Sequence, residues 1–485
     1  MRTLSDILTG LKGVRIEGES ERKIGQIQMD SRRVEKEDVF VAVPGTQVDG
    51  HAFIDKAISQ GARTIVCEQL PEQPDPACTW VVVPSSHTAL AEMAANYYER
   101  PARELIMVGI TGTNGKSSCV SMLHQLYSRM GYTVGMLSTV VNLVGAVEVP
   151  ATHTTPDPLS LQALLRDMVN AGCSHCFMEV SSHALVQGRT HGIPFRGAGF
   201  TNITHDHLDY HGTFKAYIEA KKMLFDGLGK EAVAVVNADD RNGKVMLQNT
   251  VARKRAFGLK RMAEYRAKIQ TISLDGLELE IDYQSVWFRL RGRFNAYNLL
   301  LVYGLAVELG EEKEDVLQAL SEVEGADGRF QVLRDPKSKQ TAIVDYAHTP
   351  DALENVLSTV QDMLQGQGNI LVVVGAGGNR DKAKRPKMAE IAARLGDQVI
   401  LTSDNPRNEE PAAILTDMEA GLGATQRRKV LTVVDRREAI RLATRLAQPG
   451  DLILIAGKGH ETYQDIKGIK HPFDDREELM KAWHE

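Results

Sequence analysis

Apolar positions along the chain fall into short runs separated by helical periodicities, the rhythm of an α/β protein. Runs at residues 39–43, 63–67 and 80–83, with a helix over 52–60 closed by Gly61, predict a small α/β unit. The apolar run at 105–110 reads as a strand buried on both faces, and residues 118–129 set Val120, Leu123 and Leu126 on one helical face. Further strands are expected at 176–180 and 233–237. The alternation from 269 to 290, broken at Asp275-Gly276, predicts antiparallel strands joined by a hairpin. A helix then opens near Asn295, the expected N-cap, and runs to Glu308. Beyond the glycine-broken loop 325–330, four runs (342–346, 370–374, 398–402 and 451–456) alternate with helical segments, as in a doubly wound sheet.

The stretch between the 105–110 strand and its helix changes the picture. It reads Thr111-Gly112-Thr113-Asn114-Gly115-Lys116-Ser117. Glycines there let backbone N–H groups close on phosphate oxygens, Lys116 adds charge, and Ser117 can offer its hydroxyl to magnesium. The strict G-x-x-x-x-G-K-[ST] spacing fails, because Ile110 stands where the first glycine belongs. A strand ending in Glu179 delivers a carboxylate to the same sheet edge, within reach of a phosphate-bound magnesium. His205, Asp206, His207 and Asp209 follow another strand, without the sulfur or imidazole set that zinc wants. Lys221 shares a helical face with Tyr217, Leu224 and Phe225; it is either a snorkelling lysine or a chemically altered one. Polar clusters close all four C-terminal strands: Asp345 to His348, Gly375 to Asp381, Asp404 to Arg407 and Gly457 to Glu461. That decoration predicts a second site at a sheet edge.

At 485 residues the chain has room for about three domains of roughly 150 residues. The expected fold is α/β with a small N-terminal α/β domain (1–100), a central P-loop ATPase-like parallel-sheet domain (101–330) and a C-terminal Rossmann-like domain (331–485). A net charge of −6 argues against a general polyanion-binding surface, hence against nucleic acid. No apolar run reaches a membrane-spanning length, no basic and apolar leader opens the chain, and the five cysteines lack a paired zinc pattern. A cytoplasmic location with reduced thiols is expected, Cys173 and Cys176 included.

With these motifs in order, the chain resembles the Mur ligases, which build the peptide of bacterial cell-wall precursors. The resemblance runs from Asp30-Ser31-Arg32 through the glycine turn, Thr154-Thr155-Pro156, Glu179-Val-Ser-Ser-His183, Asp206-His-Leu-Asp209 and Asp404-Asn-Pro-Arg407 to Phe473-Asp-Asp-Arg476. The family's own glycine turn departs from the strict spacing in the same way. The resemblance implies an ATP-dependent, ADP-forming ligase working through an acyl phosphate, and more narrowly the branch adding the third peptide residue. Implied substrates are ATP, UDP-MurNAc-L-Ala-D-Glu and meso-diaminopimelate; implied cofactors are two Mg²⁺ ions, and a monomer is expected. By resemblance, Gly112, Thr113, Asn114, Gly115, Lys116, Ser117, Asn298, Arg329, Asp345 and His348 meet ATP. Ser117, Glu179, His207 and Lys221 hold metal, Lys221 after carbamylation to N6-carboxylysine, and Lys116, Glu179, His207 and Lys221 form the catalytic set. The UDP substrate is expected on Ser31, in the first domain, and on Thr154, Thr155, Ser181, Gln187 and Arg189. Arg380, Asp404, Asn405, Arg407, Gly457 and Glu461 are expected around diaminopimelate, with Arg407 as the bidentate partner of its second carboxylate. Lysine-adding relatives usually lack an arginine at that position. The lysine-adding homologue, another amide ligase such as folylpolyglutamate synthase, and a nucleotide-driven switch are the alternatives. ATP on the second domain and Asp345 and His348 on the third also predict closure of the cleft between them.

Overall fold

The computed structural model describes residues 2–45 and 48–484. The chain folds around three sheets. The first has five strands in the order Arg15–Glu17, Thr79–Val82, Thr64–Cys67, Val39–Val41, Ile27–Gln28, parallel except for the first. Ser31 opens a short 3₁₀ turn after the Ile27–Gln28 strand.

The central sheet has eleven strands. Its middle is parallel, with Ile106–Thr111 lying between Phe195–Phe200 on one side and His175–Glu179 on the other. Both neighbours come later in sequence, so the chain crosses over on both sides of this strand. A crevice opens at the carboxyl ends of such strands. The alternating segment does form antiparallel strands (Tyr265–Ile272, Leu277–Ile281, Gln284–Phe288), and they extend this sheet. Helices cover both faces of the parallel part. Lys116–Arg129 and Arg293–Leu309 pack on one side through Val120, Leu123, Leu126, Leu300 and Leu301. Pro158–Asn170 and Phe214–Asp226 pack on the other through Leu161, Leu165, Tyr217, Leu224 and Phe225.

The third sheet has six strands: Gln331–Arg334, Thr341–Asp345, Leu452–Ala456, Ile370–Val374, Gln398–Leu401 and Val430–Thr432. The four expected runs form its parallel middle, and Gln331–Arg334 adds an antiparallel edge. A hairpin of Tyr463–Ile466 and Ile469–Pro472 stands apart from it.

Three helix starts differ from expectation, the helix expected from residue 52 beginning at Ile54 after a 3₁₀ turn over Gly50–Phe53. Asn295 is not an N-cap: the helix begins at Arg293 after Gly292, whose φ of 88° ends the incoming chain. Asn295 is buried inside the first turn, where its amide donates to the Arg291 carbonyl at 2.8 Å and accepts from Asn298 at 3.0 Å. The helix after the glycine turn begins at Lys116 rather than residue 118, because Gly115 takes a left-handed φ of 89° that turns the chain into it.

Candidate active site

The glycine turn leaves the carboxyl end of Ile106–Thr111 and is built by close backbone approach. A side chain on Gly112 would collide with Thr201 Oγ1, and a Cβ on Gly115 would lie 2.6 Å from Asn298 Oδ1. The loop after Phe195–Phe200 holds the turn open. The Thr113 and Asn114 amides donate to Asn202 O (2.8 Å) and Oδ1 (3.0 Å), and Thr201 Oγ1 donates to Asn114 O at 2.6 Å. Lys116 curls back over the turn and donates to the Gly112 and Thr113 carbonyls, both at 2.9 Å. Ser117 Oγ accepts from Arg329 Nη2 at 3.2 Å.

Glu179 ends the neighbouring strand opposite Ile110 and is 1% exposed. Its carboxylate accepts from Thr139 N (2.8 Å) and Oγ1 (3.2 Å), and that hydroxyl also meets Thr154 Oγ1 at 3.0 Å. Behind it, Thr155 Oγ1 donates to the Glu179 carbonyl at 2.8 Å and accepts from Ser181 N at 3.1 Å. Arg189 donates to Thr155 O at 2.7 Å and to Gln187 Oε1. Thr154, Thr155, Ser181 and Arg189 thus line one cleft, while Gln187 stands behind Arg189 against Tyr210.

Lys221 does not snorkel. It is 1% exposed, its ammonium donates to Gly112 O at 2.8 Å, and it lies 4.6 Å from the centre of the Tyr217 ring. Burial pushes its pKa well below the ordinary lysine value, and the nearby Lys116 pushes the same way against Asp206. Lys222 is the paired neighbour, bound to Asp226 at the next turn of the helix. His207 begins a short helix with a left-handed φ of 54°, its amide held by Asp206 Oδ1 at 3.0 Å. The enclosing cleft lowers its pKa to about 4, with Asp206 opposing, so the ring is neutral at pH 7. Among the described residues no three His, Cys, Asp or Glu side chains gather as a metal centre. The donor set that faces the cleft (the Ser117 hydroxyl, the Glu179 carboxylate and a neutral His207) fits a hard divalent cation whose other ligands are phosphate and water oxygens.

The third sheet supplies the opposite wall. Both Asp345 oxygens accept backbone amides, Phe330 N at 2.6 Å and Ala347 N at 2.7 Å, and burial raises its pKa. His348 contacts Tyr346 O at 2.8 Å, and burial lowers its pKa to about 4. The Arg329 guanidinium lies 4.3 Å from the centre of the Tyr346 ring, and its buried Nε has no partner among the described residues. Arg407 takes a left-handed φ of 50° and donates to Gly378 O at 2.8 Å. The 463–472 hairpin grips it from the other side: Arg407 N donates to Asp465 O at 2.9 Å, and Lys467 N donates to Arg407 O at 2.8 Å. Burial works against ionisation of Asp404, but Lys458 and Arg436 outweigh it and hold the carboxyl below its ordinary range. Gly457 must be glycine, since a Cβ there would lie 2.5 Å from Asp404 Oδ2.

Both walls enclose one cleft of about 1230 Å³. The turn residues from Thr113 to Ser117 face it, with Glu179, His207, Asn298, Arg329, Asp345 and His348. So do Arg380, Asp404, Asn405, Arg407, Gly457 and Glu461. Lys221 and Gly112 lie beneath the turn, and Ser31 belongs to the first sheet, off the cleft. Sequence reasoning missed Asp351 and Lys384, which also line it, and Thr139, which orients Glu179. Asp351 followed directly on a cluster already singled out, and Lys384 lay just beyond another.

Such a molecule is a three-sheet α/β protein whose phosphate-cradling turn opens onto the polar loops of a second sheet. Family models match on each sheet: Mur ligase family, catalytic domain at residues 23–98; Mur ligase middle domain at 110–306; and Mur ligase, glutamate ligase domain at 328–459. The chain belongs to the Mur ligase family. It is 53% identical over 474 residues (98% of this chain, 97% of the relative) to the UDP-N-acetylmuramoyl-L-alanyl-D-glutamate–2,6-diaminopimelate ligase of Cytophaga hutchinsonii. A solved structure of a ligase of that name matches with a TM-score of 0.68 at 33% identity, covering 100% of this chain and 99% of that one. The MurF ligase of Thermotoga maritima, solved with ADP, shares the fold (TM-score 0.64, 21% identity, 94% and 96% covered).

Proposed function

We propose that this chain is an ATP-dependent, ADP-forming amide ligase that adds meso-2,6-diaminopimelate to UDP-N-acetylmuramoyl-L-alanyl-D-glutamate in peptidoglycan precursor synthesis. One observation carries the site reading: a single cleft joins the glycine turn to the pocket around Asn405, Arg407 and Glu461. ATP lies along the turn, with Lys116 and Arg329 over its phosphates and Asn298, Asp345 and His348 around the rest. The γ-phosphoryl group passes to the terminal carboxylate of the UDP substrate, giving an acyl phosphate and ADP. The substrate's peptide rests on Thr154, Thr155, Ser181 and Arg189, with Gln187 behind, while its uridine end reaches the first sheet near Ser31. The amine of diaminopimelate then attacks the acyl carbon, and phosphate leaves. Arg407 and Arg380 pair with carboxylates of the amino acid, and Glu461, steadied by Asn405, takes its distal ammonium.

Two Mg²⁺ ions, held through Ser117, Glu179, His207 and Lys221, would neutralise the crowded phosphate charge when bound. Lys221, which meets the Gly112 carbonyl as an amine, would join that set only as a carboxylate. Its deprotonated amine adds to CO₂, forms an N–C bond and releases one proton, leaving a carbamate. The low basicity imposed by burial supports this, because only the neutral amine is nucleophilic. Among the described residues no helix is long and apolar enough to cross a membrane, and a cytoplasmic location goes with these substrates.

The test is phosphate release with ATP, Mg²⁺ and the UDP-dipeptide, with meso-diaminopimelate or L-lysine in parallel. Release with diaminopimelate alone is expected. Release with lysine instead would overturn the pocket reading, and release indifferent to any amino acid would overturn the ligase reading.

A further inference from the structure

Lys458 is 0% exposed and stands at the end of the Leu452–Ala456 strand, next to Gly457. A buried ammonium is costly unless its hydrogens are used. Here they are: Nζ donates to Asn405 Oδ1 at 3.1 Å and to Glu461 Oε2 at 3.0 Å, and it lies 5.5 Å from the centre of the Tyr463 ring. Asn405 is 3% exposed and closes the triangle, donating Nδ2 to the same Glu461 oxygen at 2.8 Å. Asn405 Oδ1 also accepts from Asp465 N at 2.9 Å.

These contacts settle two orientations. The Asn405 amide cannot flip, because its oxygen already serves two donors, one of them charged. Glu461 Oε2 is engaged by Lys458 and Asn405, so Oε1 is the oxygen left for the cleft that Glu461 lines. Without the ammonium, Glu461 would keep a single amide contact and could swing its carboxylate, and Asn405 would be held by Asp465 N and Glu461 alone.

We infer that Lys458 is a positioning residue for the amino-acid substrate, locking Asn405 and Glu461 so that one carboxylate oxygen is presented to the substrate's distal ammonium. This rests on the ligase reading above. Lys458 touches no reacting atom: its effect belongs in recognition of the amino acid and not in phosphoryl transfer.

The experiment compares wild type, Lys458→Met and Lys458→Gln in steady-state phosphate release, varying meso-diaminopimelate and ATP separately, with thermal melting of each protein. The expected result is a KM for diaminopimelate raised on the order of 10- to 100-fold, as for loss of a charged hydrogen bond, with the KM for ATP within about twofold of wild type. A double-mutant cycle with Asn405→Ala is expected to be strongly non-additive in that KM. Variants that melt like wild type and keep its diaminopimelate KM would overturn the inference, and so would an additive cycle or equal losses for both substrates. Lys458→Gln keeps one donor and the test alive should the methionine variant not fold. If wild type itself releases no phosphate in response to diaminopimelate, the ligase reading has failed, which is a separate outcome.

Discussion

Lys221 and Lys116 donate to one carbonyl, that of Gly112. Two ammonium groups so placed repel, and neither Asp206 nor the carbonyl fully compensates the buried one. For Lys221, whose folded-state pKa is depressed, the unfolded chain binds the extra proton, so stability falls as pH drops below the ordinary lysine value of 10.5. At pH 7, without CO₂ and metal, Lys221→Met is therefore expected to melt at a higher temperature than wild type while losing nearly all ligase activity. Melting at or below the wild-type temperature would show that the buried amine costs nothing. The apolar face carrying this lysine was legible from its spacing; the choice between a snorkelling and an enclosed lysine was not, because it depends on the sheet packed above the helix. Gly115 makes the same point in reverse. Its left-handed φ and the nearby Asn298 oxygen leave no space for a methyl group, so Gly115→Ala is expected to raise the KM for ATP at least tenfold. An unchanged KM would mean that the turn does not cradle phosphate.

At the scale of elements, a buried ion-pair cluster ties two loops of the third sheet together. Arg385, 1% exposed near the start of the Lys384–Leu395 helix, makes paired bonds to Glu409 at 2.8 and 2.9 Å and one to Asp417 at 2.8 Å. That fastens the segment following Arg407 to the segment carrying Arg380. The bonds from Arg385 hold the Glu409 carboxyl at about 2 instead of its ordinary 4.5. A depressed carboxylate contributes fully above its unfolded value, and the contribution is lost as pH falls through the folded one. The melting-temperature gap between wild type and Glu409→Gln is thus expected to be widest above about pH 5 and to shrink towards pH 2. A gap constant with pH would assign the stabilisation to packing. None of this pairing was read from sequence, since Arg385 and Glu409 are far apart in the chain and meet only because the strands Ile370–Val374 and Gln398–Leu401 are neighbours.

At the scale of the whole molecule, the second and third sheets already touch. Asp351, in the first turn of the Pro350–Leu364 helix, accepts from Asn114 Nδ2 at 2.9 Å and from Thr204 Oγ1 at 3.3 Å, tying that helix to the glycine turn. Arg329 reaches Ser117 in the same region. These contacts bridge the two walls of the cleft. Asp351→Ala is expected to enlarge the radius of gyration of the free protein in small-angle scattering and to restore a visible compaction on adding an ATP analogue with the UDP substrate. Identical scattering of variant and wild type would show that the contact does not hold the cleft.

The sequence by itself determined many of the buried strands, the glycine turn, the order of the motifs and the family they belong to. Those features rest on local periodicity and on residues adjacent in the chain, such as Gly115 beside Lys116 and Ser117. Only the tertiary structure decided which strand ends share a cleft, that Ser31 lies off it, that Lys221 is sealed beneath the turn, and that Lys458 braces Asn405 and Glu461. Each depends on strand order and on helices from distant parts of the chain closing over the sheets, where burial changes what a charged side chain can do.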